Sequence, residues 1–251
     1  MVERPSVLLP VMVLEGESIA EGIPELLENA HVVLLGYHVI PEQTAAGQAR
    51  MQFEERAEAR LEDIETMLID AGATVETRLV FTHEAQATID RTIHEHDCLA
   101  VLVPSATRPP EEVLVAVRGT VGFDRMARLV GGLFADSDVA VTLLHITPTL
   151  DDTSRALLDD LTEQLITAGF DETALTSEVY ETTDPIEYLV DTASQYDVAV
   201  IGESDPSLIT FVFGWRTEEV VERFLCPVLV VQRQRSEEDT GNPADPNGDI
   251  G

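Results

Sequence analysis

The chain has 251 residues, of which 44% are hydrophobic, so it is long enough for one large or two small domains with real cores. Its 47 acidic residues outnumber its 15 basic residues, all of them arginine, and the formal net charge is -32. The sequence contains no basic cluster, which argues against nucleic acid or an anionic membrane surface as a partner, because both are recognised through lysine and arginine.

The first half of the chain is predicted to alternate strands with helices. Two apolar runs flank a helical segment over residues 7–41, and the second run ends in His38-Val39-Ile40-Pro41. A long amphipathic helix follows and ends at Ala71-Gly72, where glycine suits a left-handed residue. Next come a strand, TVETRLVF, a helix from about Thr82 to His94, and Asp97 before an apolar strand, CLAVLVPS. The apolar face of the long helix comprises Phe53, Ala57, Leu61, Ile64 and Leu68.

The second half repeats this order. Residues 113–148 again end in a His-x-x-Pro motif, His145-Ile146-Thr147-Pro148, and the next helix ends at Ala168-Gly169. A strand, LTSEVYET, precedes a helix that Asp184 is expected to cap, and a buried strand, VAVIGES, follows. Only this half continues, to a helix at about 217–224 and a last strand, PVLVVQR. The apolar face of its long helix comprises Leu157, Leu158, Leu161 and Leu165.

The pattern predicts an α/β protein with two tandem parallel-sheet domains. Strands of near-continuous Val, Ile, Leu and Ala are buried on both faces and alternate with helices, which is typical of a parallel sheet. A Pro-rich stretch, PSATRPPEE, places the boundary near residue 110. We therefore predict a first domain over 1–110 that lacks its last helix and strand, a second over 111–235, and a disordered acidic tail over 236–251.

The second half resembles the universal stress protein family, in its tandem form. The matching segments are VLVAVRGT, VAVTLLHITP, ADSD, YDVAVIGES and CPVLVVQR. The resemblance covers nearly all of 111–234, and 5–108 more loosely. It implies a five-stranded parallel α/β fold related to the adenine nucleotide α-hydrolases, some of whose members bind ATP while others do not.

The resemblance also implies a candidate nucleotide site in the second half. In nucleotide-binding members, an Asp ends the first strand, the backbone after the second strand holds adenine, and a Gly-x2-Gly-x9-Gly-Ser/Thr loop wraps the phosphates. This chain keeps two of the glycines, but an Asp replaces the middle glycine, a Trp replaces the Ser or Thr, and an Arg replaces the Asp. The candidate residues are Arg118, Ile146, Gly202, Asp205, Gly214, Trp215 and Arg216.

These departures argue against an ordinary ATP site. A carboxylate about 4 Å from a phosphate charge costs about 4 kcal/mol at an effective dielectric of 20, more than the roughly 0.5–1.5 kcal/mol of one hydroxyl contact. The two arginines could offset part of this cost or hold another anion. We expect a stress-response regulatory protein with a degenerate nucleotide loop. An ATP- or AMP-binding stress protein is the alternative, and a weak ATPase is a remoter one.

No catalytic constellation or metal motif is visible, so we predict neither an enzyme nor a metal site. His38 and His145 are read as scaffold residues. Cys98 and Cys226 are read as core thiols, because each lies beside an apolar run and neither belongs to a CxxC motif. The chain start is read as a strand and not as a signal peptide, which predicts a cytoplasmic protein. The acid-rich, lysine-free composition resembles haloarchaeal proteins; the alternative is a mesophilic protein with an acidic face.

Assembly is predicted from the last strand. An apolar terminal strand has an unpaired edge that invites pairing. Two arrangements are open: pairing across a homodimer axis, as the family usually does and as we favour, or docking on the first domain. An unidentified protein partner is also considered. The residues expected to pair are Val228, Leu229, Val230 and Val231.

Overall fold

The computed structural model describes residues 4–14, 19–117, 122–202 and 224–233. Its first half follows the predicted order of strands and helices. The long helix buries Ala57, Leu61, Ile64 and Leu68 as predicted, and it ends at Gly72 with φ 117°. The elements are β1 Ser6–Met12, α1 Ile23–Leu26, β2 His31–Val39, α2 Ala46–Ala71, β3 Thr74–Thr82, α3 Ala85–Glu95 and β4 Ala100–Val103.

The second half contains the repeated set and one further strand. Asp184 caps a helix as predicted, since its side chain accepts a hydrogen bond from the Glu187 amide. The predicted helix at about 217–224 lies almost wholly outside the described residues, as does the acidic tail. The elements are β5 Glu112–Val117, α4 Phe123–Phe134, β6 Ala140–Thr147, α5 Asp152–Thr167, β7 Leu175–Glu181, α6 Pro185–Ala193, β8 Val198–Gly202 and β9 Val228–Val231.

All nine of these strands form one sheet, in the order β3-β2-β1-β4-β9-β8-β5-β6-β7. β9 is parallel to β8 and antiparallel to β4, so the two halves run in opposite directions. Each half supplies four strands that are parallel to one another. β9 joins the two sets, because it pairs with β8 on one edge and with β4 on the other. The predicted pair of separate parallel sheets is therefore corrected to one mixed, mostly parallel sheet. No split into two domains is evident among the described residues.

β9 lies inside the sheet, between β8 and β4. Val228 pairs with Ala199 of β8 and with Val103 of β4, and Val231 pairs with Gly202 and Ala100. Docking on the first half is thus the arrangement in this structure. Both edges of β9 have partners within the chain. Association of two copies through Val228, Leu229, Val230 and Val231 stays a prediction.

Packing also joins the halves. One buried cluster on the α1, α2, α4 and α5 side of the sheet runs from Val7 in β1 to Leu229 and Val231 in β9. On the other side, two smaller clusters lie under α3 and α6. Arg125 of α4 reaches across the halves, donating to the Asp97 carboxylate at 3.2 Å and to the Cys98 carbonyl at 2.7 Å. The largest buried cluster therefore spans both halves.

Candidate functional site

The predicted site lies at the carboxyl edge of the second half. Ligands of open α/β sheets bind outside the carboxyl ends of the strands, where the strand order reverses. In this half the order reverses between β8 and β5, which end at Gly202 and Val117. The opening between these two strand ends is therefore the ligand position that the fold offers.

Two of the seven predicted site residues lie within the described residues. Gly202 is the last residue of β8, and Ile146 lies near the end of β6, where its side chain is 7% exposed. The fold places β5 between them, so their backbones are about 10 Å apart at the usual spacing of strands. The other five predicted residues fall outside the described part of the chain: Arg118, Asp205, Gly214, Trp215 and Arg216.

His145 has a structural role at this edge. Its ring is buried, and Nδ1 donates to the Val117 carbonyl at 3.0 Å, which ties the end of β5 to β6. The matching residue of the first half, His38, packs edge-on against Phe53 and Phe81, with ring centroids 5.8 and 6.1 Å away. These contacts support the prediction that both histidines are scaffold residues.

The corresponding edge of the first half is covered by the chain that leaves β4. Because the halves are antiparallel, the carboxyl ends of β1 and β4 lie at the edge opposite the predicted site. Beyond Val103 the chain crosses to the start of α1, where the Thr107 amide donates to the Glu21 carbonyl at 3.0 Å. A Cβ on Gly22 would collide with the Thr107 carbonyl. The loop therefore fills the space beside the α1 terminus.

Asp197 holds this covering loop in place. Its carboxylate accepts from Arg108 Nε at 2.6 Å and from the amides of Glu111 and Glu112, each at 3.0 Å. The Thr107 hydroxyl donates to the Asp197 carbonyl at 2.9 Å. Burial disfavours the charged carboxylate, but these hydrogen bonds outweigh that effect and lower the pKa of Asp197. The sequence predicted only a domain boundary at this loop and gave no sign of its contact with Asp197.

Replacing Gly22 tests how closely the loop packs. Gly22 has φ 85°, and a side chain there would meet Thr107. We expect Gly22→Ala to lower the free energy of unfolding by about 2 kcal/mol or more, since a left-handed non-glycine residue alone costs about 1–2 kcal/mol. Gly47→Ala is the control: a Cβ on Gly47 in α2 meets nothing within 4 Å. That change should stabilise by up to about 1 kcal/mol. Equal effects in urea titrations would contradict the packing described.

Replacing Asp197 tests the loop contact and its pH dependence. At neutral pH we expect Asp197→Ala to cost about 2 kcal/mol, the scale of hydrogen bonds to a charged group. The folded pKa is lowered, so this contribution is present above the unfolded value of about 3.9 and is lost as pH falls through the folded pKa. The deficit relative to wild type should therefore shrink below about pH 4. Asp159→Ala, which removes an exposed charge from α5, should show no such deficit.

A groove of about 900 Å³ lies elsewhere, between α4, α5 and the start of β1. Neither Ile146 nor Gly202 lines it. Two arginines and three acidic residues give it mixed charge, so it favours no single class of ion. These residues are Arg4, Arg128, Asp124, Asp160 and Glu163.

Both cysteines of the chain are buried. Burial raises the pKa of both Cys98 and Cys226 to about 11, so both thiols stay protonated and unreactive at neutral pH. Within residues 4–14, 19–117, 122–202 and 224–233, no three metal-binding side chains gather. No helix in the same ranges is long and apolar enough to cross a membrane.

No protein-family model and no curated protein sequence matches the chain. Solved structures do match its fold. A universal stress protein from Archaeoglobus fulgidus superposes with a TM-score of 0.62 at 16% identity, and the match covers 91% of this chain and 96% of that one.

Two further structures are less similar. A universal stress protein in complex with cAMP is 19% identical, covering 49% of this chain and 96% of its own, with a TM-score of 0.38. The cytoplasmic domain of a prokaryotic cation chloride cotransporter is 9% identical, covering 91% and 95%, with a TM-score of 0.47. Scores this low carry no argument about function. The fold of the chain is therefore similar to that of the universal stress protein from Archaeoglobus fulgidus.

Proposed function

We propose that this chain is a stress-response regulatory protein that keeps the universal stress protein fold without an ordinary ATP site. The observation that carries the proposal is the fold itself, which matches the Archaeoglobus fulgidus universal stress protein over 91% of this chain. The segment resemblance in the second half supports the same family.

The first half does not offer a nucleotide site on this account. The loop over residues 104–111 lies against the start of α1, where the glycine-rich loop of a nucleotide-binding member would approach the phosphates. Removing it would break the hydrogen bonds of Asp197 and expose Gly22. The Thr107 carbonyl already occupies the space beside Gly22.

The second half keeps the framework of a site but not its phosphate contacts. Gly202 still ends β8 at the point where the strand order reverses. Asp205 stands where the family has a glycine and Trp215 where it has Ser or Thr. The competing function, ATP or AMP binding by this half, rests on Gly202 and Gly214 and on the fold's open carboxyl edge.

Titration with Mg-ATP tests the proposal. We expect no saturable calorimetric response or Trp215 fluorescence change up to about 1 mM Mg-ATP in about 2 M KCl. Trp215 supplies no hydroxyl to the phosphates, and Asp205 replaces a glycine that would let the backbone approach them closely. A double variant, Asp205→Gly with Trp215→Ser, restores both family residues and should bind at least tenfold more tightly in calorimetry. That gain corresponds to about 1.4 kcal/mol.

The control is Asp159→Gly, which removes one exposed carboxylate from α5, far in sequence from the loop. It should leave the Mg-ATP response unchanged. Saturable micromolar binding by the wild-type chain would contradict the proposed function and favour the nucleotide-binding alternative.

A further inference from the structure

Two tyrosines of the second half form a stacked pair at the carboxyl edge. Tyr180 of β7 and Tyr188 of α6 have ring centroids 3.7 Å apart and planes only 6° from parallel. Tyr180 remains 43% exposed despite this contact. A partly exposed tyrosine ring offers a flat face on which a planar ring can stack, and a base–aromatic stack contributes favourably to binding.

The pair adjoins Ile146, one of the predicted site residues. Tyr180 is the direct cross-strand neighbour of Ile146 in the β6–β7 pairing. Ile146 belongs to the cluster under α6, and Tyr188 packs against that cluster. The tyrosines therefore extend the α6 side of the same strand edge.

The first half shows that the fold does not require aromatic residues here. His38 and His145 occupy matching positions in the two halves. Their cross-strand partners are Phe81 and Val179. The residues that follow these partners, Thr82 and Tyr180, therefore correspond. Thr88 and Tyr188 each lie four residues after the N-cap of their helix. In the first half this equivalent pair meets through a hydrogen bond of 2.8 Å between the Thr88 and Thr82 hydroxyls. A small polar pair thus satisfies the same position.

Charge around the pair indicates which ligands it disfavours. Glu178 lies two residues before Tyr180, on the same face of β7, and Asp184 lies one helical turn before Tyr188. Both are exposed. Carboxylates on this face repel phosphate groups but not an uncharged or cationic ring.

We propose that the Tyr180–Tyr188 pair is a stacking platform for a planar heteroaromatic ring without negative charge. This inference rests on the proposed function, because it assigns a ligand class to a site that no longer favours phosphates. The exposed part of the Tyr180 side chain supplies the stacking surface, and Ile146 is its cross-strand neighbour.

Binding of adenosine to the full-length chain tests the platform. AMP is the comparison ligand, because it carries the same ring system and a phosphate. In about 2 M KCl we expect saturable adenosine binding by equilibrium dialysis and weaker AMP binding. The difference between the two affinities should increase as KCl is lowered, because less salt screens the repulsion of the AMP phosphate. Tyr180→Leu keeps an apolar side chain but removes the ring, and should weaken adenosine binding about tenfold, within the range for loss of one base–aromatic stack. Tyr180→Phe keeps the ring and should stay within about twofold of wild type.

The outcomes separate the two proposals. Absence of adenosine binding, or binding that Tyr180→Leu leaves unchanged while its circular dichroism matches wild type, overturns the platform. AMP binding as tight as adenosine overturns the ligand class. Mg-ATP binding that survives Tyr180→Leu contradicts the proposed function alone.

Discussion

Replacing Val230 by aspartate is expected to unfold both halves of the protein together. Val230 is 1% exposed in β9 and pairs with Val101 of β4 and Ile201 of β8. A carboxylate buried there has no cationic partner in the strand, so we expect a loss of about 4 kcal/mol or more, a large part of the stability of an ordinary domain. Thermal unfolding followed by circular dichroism measures the loss.

The control for this variant is Leu225→Asp, which introduces the same charge just before β9. Leu225 is 68% exposed, so the change should alter stability by no more than about 0.5 kcal/mol. The milder Val230→Ala removes two buried methyl groups and should cost about 2 kcal/mol while keeping a single transition. A first half that stays folded in Val230→Asp, seen as a second transition, would contradict the shared strand.

Salt is expected to have the second large effect. The net charge of -32 makes the folded chain repel itself, and the screening length falls from about 10 Å at 0.1 M salt to about 3 Å at 1 M. We expect stability to rise by several kcal/mol between about 0.2 and 3 M KCl, or about 10 °C in melting temperature for a chain of this size. Differential scanning calorimetry across KCl concentrations measures this rise.

A charge-reduced variant separates screening from other effects of salt. Glu55, Glu58 and Glu62 are exposed on α2, and their replacement by glutamine removes three negative charges without touching the core. The variant should need less KCl for the same melting temperature. Sucrose, which is uncharged, should not reproduce the KCl effect at low ionic strength. A melting temperature independent of KCl would contradict the halophilic reading of the composition.

Much of the fold could be predicted because its signals are local. Helix faces such as Leu61, Ile64 and Leu68 and the glycine at Gly72 follow from side-chain periodicity and backbone geometry, and the structure confirms them. The place of β9 is not local. Val228–Val231 is apolar on both faces, which predicts a buried strand but not its neighbours. The sequence did indicate that the first half lacks a last strand of its own, which leaves one edge of β4 without a partner from that half.

The candidate site was less predictable. Resemblance supplied its residues, and only Ile146 and Gly202 fall within the described chain. The contact of Asp197 with residues 107–112 depends on chain segments about 90 residues apart, which no local pattern links. The tyrosine pair left a fainter trace: aligning the two halves sets Tyr180 and Tyr188 against Thr82 and Thr88. Comparing the two halves in this way would have identified the tyrosine pair as a feature of the second half alone.

Mass spectrometry of the protein purified in molar KCl tests the central claim most directly. The claim is that the universal stress protein fold persists here while its phosphate contacts are lost. Native spectra of the wild-type protein should show no co-purified ATP, ADP or AMP. Any bound compound should be a planar ring without phosphate, and it should be absent from Tyr180→Leu. A stoichiometric adenine nucleotide in the wild-type protein would contradict it.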